Sequence, residues 1–561
     1  MPASLVTALS AGLLVLLSAC RQPDGETSFD TIIRGGTVYD GLGGPGIQAD
    51  VGIVDDRIAK IGDLRAATAD TVVDASGQAV SPGFINMLSW ALLDLIFDGR
   101  GMSDLKQGVT LQVFGEGLSL GPTSDALLEH MEAMGGVSVP FLPWRTLGQS
   151  LWLMELKGVS PNIASFVGGA NLRMKHLGFS DRAATAEEVE AMREDMRVAM
   201  EEGAMGLGTS LIYPPGRFAA TEDLIALAEV VAEYGGMYTS HMRSEGVQLL
   251  EGIDEVIRIA RETGVTANVY HLKAAGVPNW PKMDIALEKI EAARAEGLAV
   301  TADMYPYVAG GTGLEATLPP SLQEGGYDAM KARILDPELR PQIIEAMTTP
   351  TDDWEQLFLE AGGGENVLVM GLISEKNRAL SGKSLKEIAA QRGSSEPDTI
   401  LDLIVEEEGR IFTVYFMMTE DNLVKQIRKP WVAINSDAQA VAREVDASQL
   451  HPRAFGTFSR VLAKFVREDK IISLPEAIRR MTSLPADNLK LSDRGRLQPG
   501  AFADVVVFDP DQIQDNATYE KPNQYASGVA HVFVNGGHVL KDGEHNDVYS
   551  GRFVRGPGYR D

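Results

Sequence analysis

Cysteine is almost absent: Cys20 is the single one in 561 residues. Beyond it the chain has no thiol, so neither a disulfide framework nor a thiolate metal site can hold the body together. Basic side chains are scarce too, with 50 Lys and Arg against 78 Asp and Glu and a formal net charge of −28. Phosphate backbones need a basic surface, which excludes nucleic acid as a partner. Anionic small molecules are then admitted only where a local positive patch overrides the field of the whole molecule. No GxGxxG or P-loop stands at a strand-to-helix junction, so no nucleotide cofactor is expected. Apolar content is ordinary at 44%, with 23% charged residues and Gly and Pro spread along the chain, a composition that buries a core and excludes disorder. At roughly 150 residues per domain the length fits about three or four domains, although one α/β barrel can use 250 or more.

Residues 5–19 are almost wholly apolar. The run is short of the roughly 20 residues that span a bilayer and fits a secretory h-region better. No Lys or Arg precedes it. Leu17-Ser18-Ala19-Cys20 resembles a lipobox, in which the cysteine is lipidated, so export to the periplasm or a lipid anchor on Cys20 is expected. A short uncleaved apolar tail is the alternative. Residues 21–28 read as a polar linker.

From 29 to 80, β-branched runs bounded by Gly and Asp read as short strands. The far end, 486–561, reads the same way around Val505-Val506-Val507 and Val529–Val534. The two ends are expected to build one small β-sandwich. Between 81 and 485, strand-like runs alternate with amphipathic helices about every 30 residues, the size of a βα unit. So many units favour a (β/α)₈ barrel over a doubly wound sheet. From about 311 to 410 the rhythm weakens, and an insertion over the barrel mouth is expected there.

Barrel active sites lie at the C-terminal strand ends. Those ends carry His241, with Arg243 and Glu245 after it; His271, with Lys273; Asp303, with Tyr305 and Tyr307; Asp437; and Gly115-Glu116-Gly117. Two histidines one repeat apart, with carboxylates from other strands, form a candidate metal site suited to zinc. Each histidine alone could instead cap its strand by hydrogen bonds.

The ordered motifs Val80-Ser81-Pro82-Gly83-Phe84-Ile85, Tyr213-Pro214-Pro215-Gly216, Ser240-His241-Met242-Arg243, His271-Leu272-Lys273, Asp303-Met304-Tyr305-Pro306-Tyr307, Ser436-Asp437, His451-Pro452-Arg453 and Gly500-Ala501-Phe502-Ala503-Asp504 resemble the amidohydrolase superfamily, in its N-acyl-D-amino-acid deacylase (D-aminoacylase) group. The resemblance runs from residue 29 to about 540. It implies a barrel with a sandwich from both chain ends, and D-stereochemistry rests on it alone. It also implies His-x-His after the first barrel strand, where this chain has Leu88 and Trp90, which cannot ligate metal. The family's cysteine ligand is missing as well: Gly117 takes its place by register, with Glu116 one residue earlier.

Two readings of different class follow. The first is a mononuclear metallohydrolase with metal on His241, His271 and Glu116, and Asp437 as general base and then acid. Lys273, Tyr305, Arg453 and Arg243 would clamp the carboxylate of a small acylated amino acid or related amide. Because carboxylate is a harder donor than thiolate, manganese or iron stand beside zinc as candidates for the one divalent ion. The second is a degenerate amidohydrolase-fold protein that only binds such a molecule; another amide, a carbamate or a dipeptide is an alternative substrate. Trp90 reads as filling the volume of the missing histidines. Asp98, Arg100 and Asp104 read as an ion pair in place of a lost metal or as a solvated loop. Glu420 and Asp421 either face the pocket or form an acidic helix N-terminus.

Overall fold

The computed structural model describes residues 28–133, 143–407, 410–444 and 450–560. The leader, the lipobox-like tetrad and Cys20 lie outside the described residues.

The first strands, β1 (Ser28–Val38), β2 (Ile47–Val54), β3 (Arg57–Gly62), β4 (Thr68–Asp74) and β5 (Ala79–Pro82), enter the chain's first sheet. The barrel wall follows with β6 (Phe84–Asn86), β7 (Val109–Phe114), β8 (Asn162–Ser165), β9 (Val167–Gly168), β10 (Gly206–Ser210), β11 (Met237–His241), β12 (Thr266–Val269) and β13 (Val300–Met304). Next come β14 (Ala309–Gly313), β15 (Val367–Val369), β16 (Lys383–Ser384) and β17 (Phe412–Phe416), then β18 (Val432–Ile434) back in the wall. The C-terminal strands are β19 (Val505–Phe508), β20 (Val529–Val534), β21 (Gly537–Lys541) and β22 (Glu544–His545).

The wall consists of a three-stranded sheet, β6-β7-β8, and a six-stranded one, β18-β13-β12-β11-β10-β9. β8 and β9 are consecutive pieces of one strand broken at Phe166, so the two sheets make eight parallel strands. The ring closes where Ser89 bridges Ala438 and the Asp437 N–H donates to the Leu88 carbonyl at 3.0 Å. β10, β11 and β13 are buried along their whole length, as parallel strands covered on both faces must be. Their helices are locally encoded. Ala186–Glu201, for instance, starts with a capping box of Thr185 and Glu188 and turns Met192, Met196, Ala199 and Met200 inward.

Both chain ends build one nine-stranded sheet, joined where β5 pairs β1 on one side and β19 on the other. It curls round an apolar cluster that draws on Ile33, Val51, Ile58, Val507 and Phe533, with a smaller one of Phe29, Ile32 and Leu64 beside it. The bridge between Arg57 and Phe502 ties β3 back to the approach to β19. The stretch 486–561 does not all stay with this sheet. Ala486, Leu489 and Leu491 pack in the barrel interior. The tail leaves the sheet too, bridging Phe553 to Ile163 and hydrogen-bonding Gly556 N–H to Gly203. A barrel with parallel strands leaves a ring of strand starts to cover, and the tail covers part of it.

Between β13 and β18 lies an insertion with its own antiparallel sheet, β14-β17-β15-β16. Its own core includes Leu314, Ile334, Ile400, Leu403 and Tyr415. Its outer limits are the strands β14 and β17. β14 reads poorly as a strand because it is AGGTG, and glycine is depleted from strands.

Asp504 seams sheet to barrel. It is buried, accepts from Asn162 Nδ2 at 3.2 Å and from the Asn535 N–H at 2.8 Å, and pairs with Arg494. Asp504→Ala leaves a buried guanidinium unpaired, a loss of about 3–5 kcal/mol. Urea unfolding is expected to shift to a lower midpoint; an unchanged midpoint contradicts the role.

Candidate active site

Glu116 reaches the barrel mouth because a glycine stands on each side of it. Gly115 and Gly117 have φ of 109° and 69°. A Cβ on Gly115 would meet the Phe166 carbonyl at 2.4 Å, and one on Gly117 would meet Ser210 at 2.5 Å. No other residue allows the chain to double back this tightly. His241 is the last residue of β11. His271 and Asp437 follow β12 and β18 with φ of 34° and 46°, left-handed conformations that side chains rarely adopt. Such strain persists only where surroundings over-determine it. Here the buried Asp303 carboxylate accepts the His271 N–H at 2.6 Å and Asn268 Nδ2 at 2.8 Å. Burial pushes Asp303 up to about 6 against those hydrogen bonds.

The three strand ends converge on one atom. Glu116 Oε1 lies 2.8 Å from His241 Nδ1 and 2.9 Å from His271 Nε2. The imidazole centroids are 4.5 Å apart. Ligand atoms of Glu116, His241 and His271 all fall within 4.8 Å of one another. The other ring nitrogen of His241, Nε2, is buried and faces Glu245 Oε2 at 3.5 Å. Two imidazoles and a carboxylate at this spacing fit a divalent ion.

A second layer balances the charge. Glu245 Oε1 stands 2.6 Å from Lys273 Nζ and 3.0 Å from His271 Nδ1. Asp437 Oδ2 stands 2.8 Å from Arg453 Nη1. The Trp90 indole N–H reaches Glu116 Oε2 at 2.9 Å and Asp437 Oδ1 at 3.1 Å. Burial would push the Glu116 carboxyl up, but the charges and hydrogen bonds of His271 and His241 hold it well below the usual range. Burial and the Lys273 ammonium would lower His271, yet the carboxylates of Glu245, Glu116 and Asp437 outweigh them and push it up to about 10. Asp437 is raised, chiefly by burial; Arg453 opposes this while Glu116 adds to it.

These groups line a cavity of about 270 Å³ whose outer wall comes from the insertion, through Thr312, Glu315, Arg410, Phe412 and Met417. Tyr305 Oη and Arg453 Nε are buried in its lining without hydrogen-bond partners among the described residues. Both are donors, free to meet an anion.

The structure thus brings together Glu116, His241, His271, Asp437, Lys273, Tyr305 and Arg453. Arg243 is not with them. Its guanidinium turns outward to Glu255 at 2.9 Å and to the carbonyls of Arg217 and Ala219, because after β11 the chain has left the strand and its alternation no longer sets direction. The expectation that Arg243 clamps substrate is corrected accordingly. Glu245, four residues after His241, turns inward instead, and its spacing from the histidine was the available signal. Trp90 is more than filler, since its N–H ties two carboxylates. Asp98 and Arg100 form a half-exposed pair outside the cavity, and Asp104 is buried against Gln112 and Asn86. Glu420 faces Arg460 and Lys464, not the pocket. His451 accepts the Arg453 N–H at 3.0 Å and so orders that loop.

An amidohydrolase family model matches residues 428–540. The chain is 35% identical to D-aminoacylase of Alcaligenes xylosoxydans xylosoxydans over 531 residues, covering 94% of this chain and 97% of that relative. Its fold is similar to a crystal structure of D-aminoacylase that defines a novel subset of amidohydrolases, with TM-score 0.77, 32% identity and coverage of 94% and 100% of the two chains. It is also similar to N-acyl-D-glutamate deacylase from Bordetella bronchiseptica, complexed with zinc and a phosphonate mimic of the reaction's tetrahedral intermediate, with TM-score 0.77, 31% identity and coverage of 94% and 100%.

A metal ligand must be a neutral imidazole, whereas ion-free His271 holds its proton up to about pH 10. Loading near neutral pH is therefore expected to release about one proton per ion, and affinity to rise with pH up to that value. Calorimetric metal titration in buffers of different ionisation enthalpy reads the proton directly; loading with no proton release contradicts the arrangement.

Proposed function

The chain belongs to the D-aminoacylase family of amidohydrolases, and on that premise we propose that it hydrolyses the amide bond of small N-acyl-D-amino acids with a single divalent ion. The observation that carries this reading is the meeting of Glu116, His241 and His271 on one point of a cavity that also holds Asp437. Zinc suits two imidazoles and one carboxylate, and the carboxylate in place of a thiolate admits manganese or iron.

When bound, such an ion supplies Lewis-acid polarisation of the amide carbonyl and acidification of water. The remaining chemistry belongs to the chain. Arg453 Nε and Tyr305 Oη offer buried donors to the substrate carboxylate, with the Lys273 ammonium nearby, 5.7 Å from the Tyr305 ring. They set the amide against the donor trio, so that attack is effectively intramolecular. Asp437, its carboxyl raised by burial, takes the proton of the attacking water and returns it to the leaving nitrogen. The insertion supplies the outer wall of the mouth through Thr312, Glu315, Arg410, Phe412 and Met417. A protein that only bound its ligand would have no use for a carboxylate held beside the donor trio, and Asp437 is held there by Trp90 and Arg453.

Asp437→Asn keeps the donor trio and is expected to retain the metal while kcat falls by about 10²–10⁴. Metal analysis beside turnover of N-acetyl-D-amino acids checks this, and hydrolysis at the parent rate contradicts the mechanism. Tyr305→Phe removes one donor to the carboxylate; kcat/KM is expected to fall by about tenfold, most of it through KM. An unchanged KM places the carboxylate elsewhere.

A further inference from the structure

Each carboxylate at the centre has one oxygen committed. Glu116 Oε1 is shared by the two imidazoles, and Asp437 Oδ2 faces Arg453. The other two oxygens, Glu116 Oε2 and Asp437 Oδ1, both face the Trp90 indole nitrogen, at 2.9 and 3.1 Å. Two buried carboxylate oxygens directed at one point repel each other, and a cation between them is the usual remedy. An indole N–H meets the same need differently. It donates only, carries no lone pair for a metal, and cannot ionise.

The residue is held rigidly enough for this. Its backbone N–H donates to the Ala438 carbonyl at 2.9 Å, next to the bridge between Ser89 and Ala438 that closes the barrel. Trp90 and Asp437 are thus fixed to the same seam, one residue either side of a backbone pair. Leu88, two residues earlier, is fully buried in the barrel interior and offers no donor.

We propose that Trp90 is a positioning residue that takes the place of a second cation: its N–H bridges Glu116 and Asp437, keeps Asp437 uncoordinated and aimed into the cavity, and limits the centre to one ion. This inference rests on the metal-dependent reading above. It assigns no proton transfer to Trp90 and requires only the hydrogen bonds described.

The test uses the full chain and zinc alone as the first probe. In equilibrium dialysis across a wide range of free zinc, the wild type is expected to saturate at one ion. Trp90→His replaces a pure donor by a potential ligand and is expected to admit a second ion. Trp90→Phe keeps an aromatic ring without the N–H. It should retain the tight ion, take up a second only weakly because no ligand has been added, and lose about tenfold or more in kcat with KM nearly unchanged, because the base is misplaced while the substrate clamp is intact. Circular dichroism confirms that each variant is folded, and the Phe variant carries the test if the His variant is not. Two ions on the wild type, or an unaltered kcat in Trp90→Phe, overturns the role of Trp90 and leaves the hydrolase reading standing. No ion on the wild type overturns the metal-dependent reading itself, and this inference with it.

Discussion

Sharing one Glu116 oxygen between two imidazoles is the constraint on which the site depends. It buries a carboxylate at the bottom of a cavity, where an uncompensated charge is prohibitively unfavourable. The surroundings answer it closely. Glu116, Glu245 and Asp437 face Lys273, Arg453 and the imidazoles of His241 and His271. Lys273, Arg453 and a bound divalent ion supply the local positive charge needed to draw an N-acyl amino acid, with its carboxylate, into a protein whose overall charge of −28 would otherwise repel it.

The same constraint explains the backbone around it. A side chain on Gly115 or Gly117 would collide with Phe166 or Ser210, so Glu116 can turn inward only between glycines. His271 and Asp437 occupy left-handed conformations at the ends of their strands, which the Asp303 carboxylate and the Leu88 carbonyl hold in place.

Much of this was legible in the sequence. Helix and strand alternating at about 30 residues identified the barrel, and two histidines one repeat apart identified its working rim. Glu116 followed from register beside the place where the family has a cysteine. Side-chain direction beyond the strand ends was not legible. Arg243 and Glu245 are two residues apart after β11, and alternation would put both on one face; the loop sends the first to Glu255 and the second to Lys273. Trp90 was legible as bulk but not as a donor, because its partners come from residues 26 and 347 positions away. The strand character of β14 was hidden by its glycines, and the path of the C-terminal tail along the barrel depends on long-range backbone pairing that no local pattern announces.

Glu116 completes a one-ion site with His241 and His271, and no cysteine stands among the described residues. Anomalous diffraction at the zinc edge from crystals of the zinc-loaded protein tests it most directly. One peak per chain is expected within bonding distance of Glu116, His241 and His271, with Asp437 outside its coordination. No peak there, or a peak whose ligands exclude Glu116, would contradict the account.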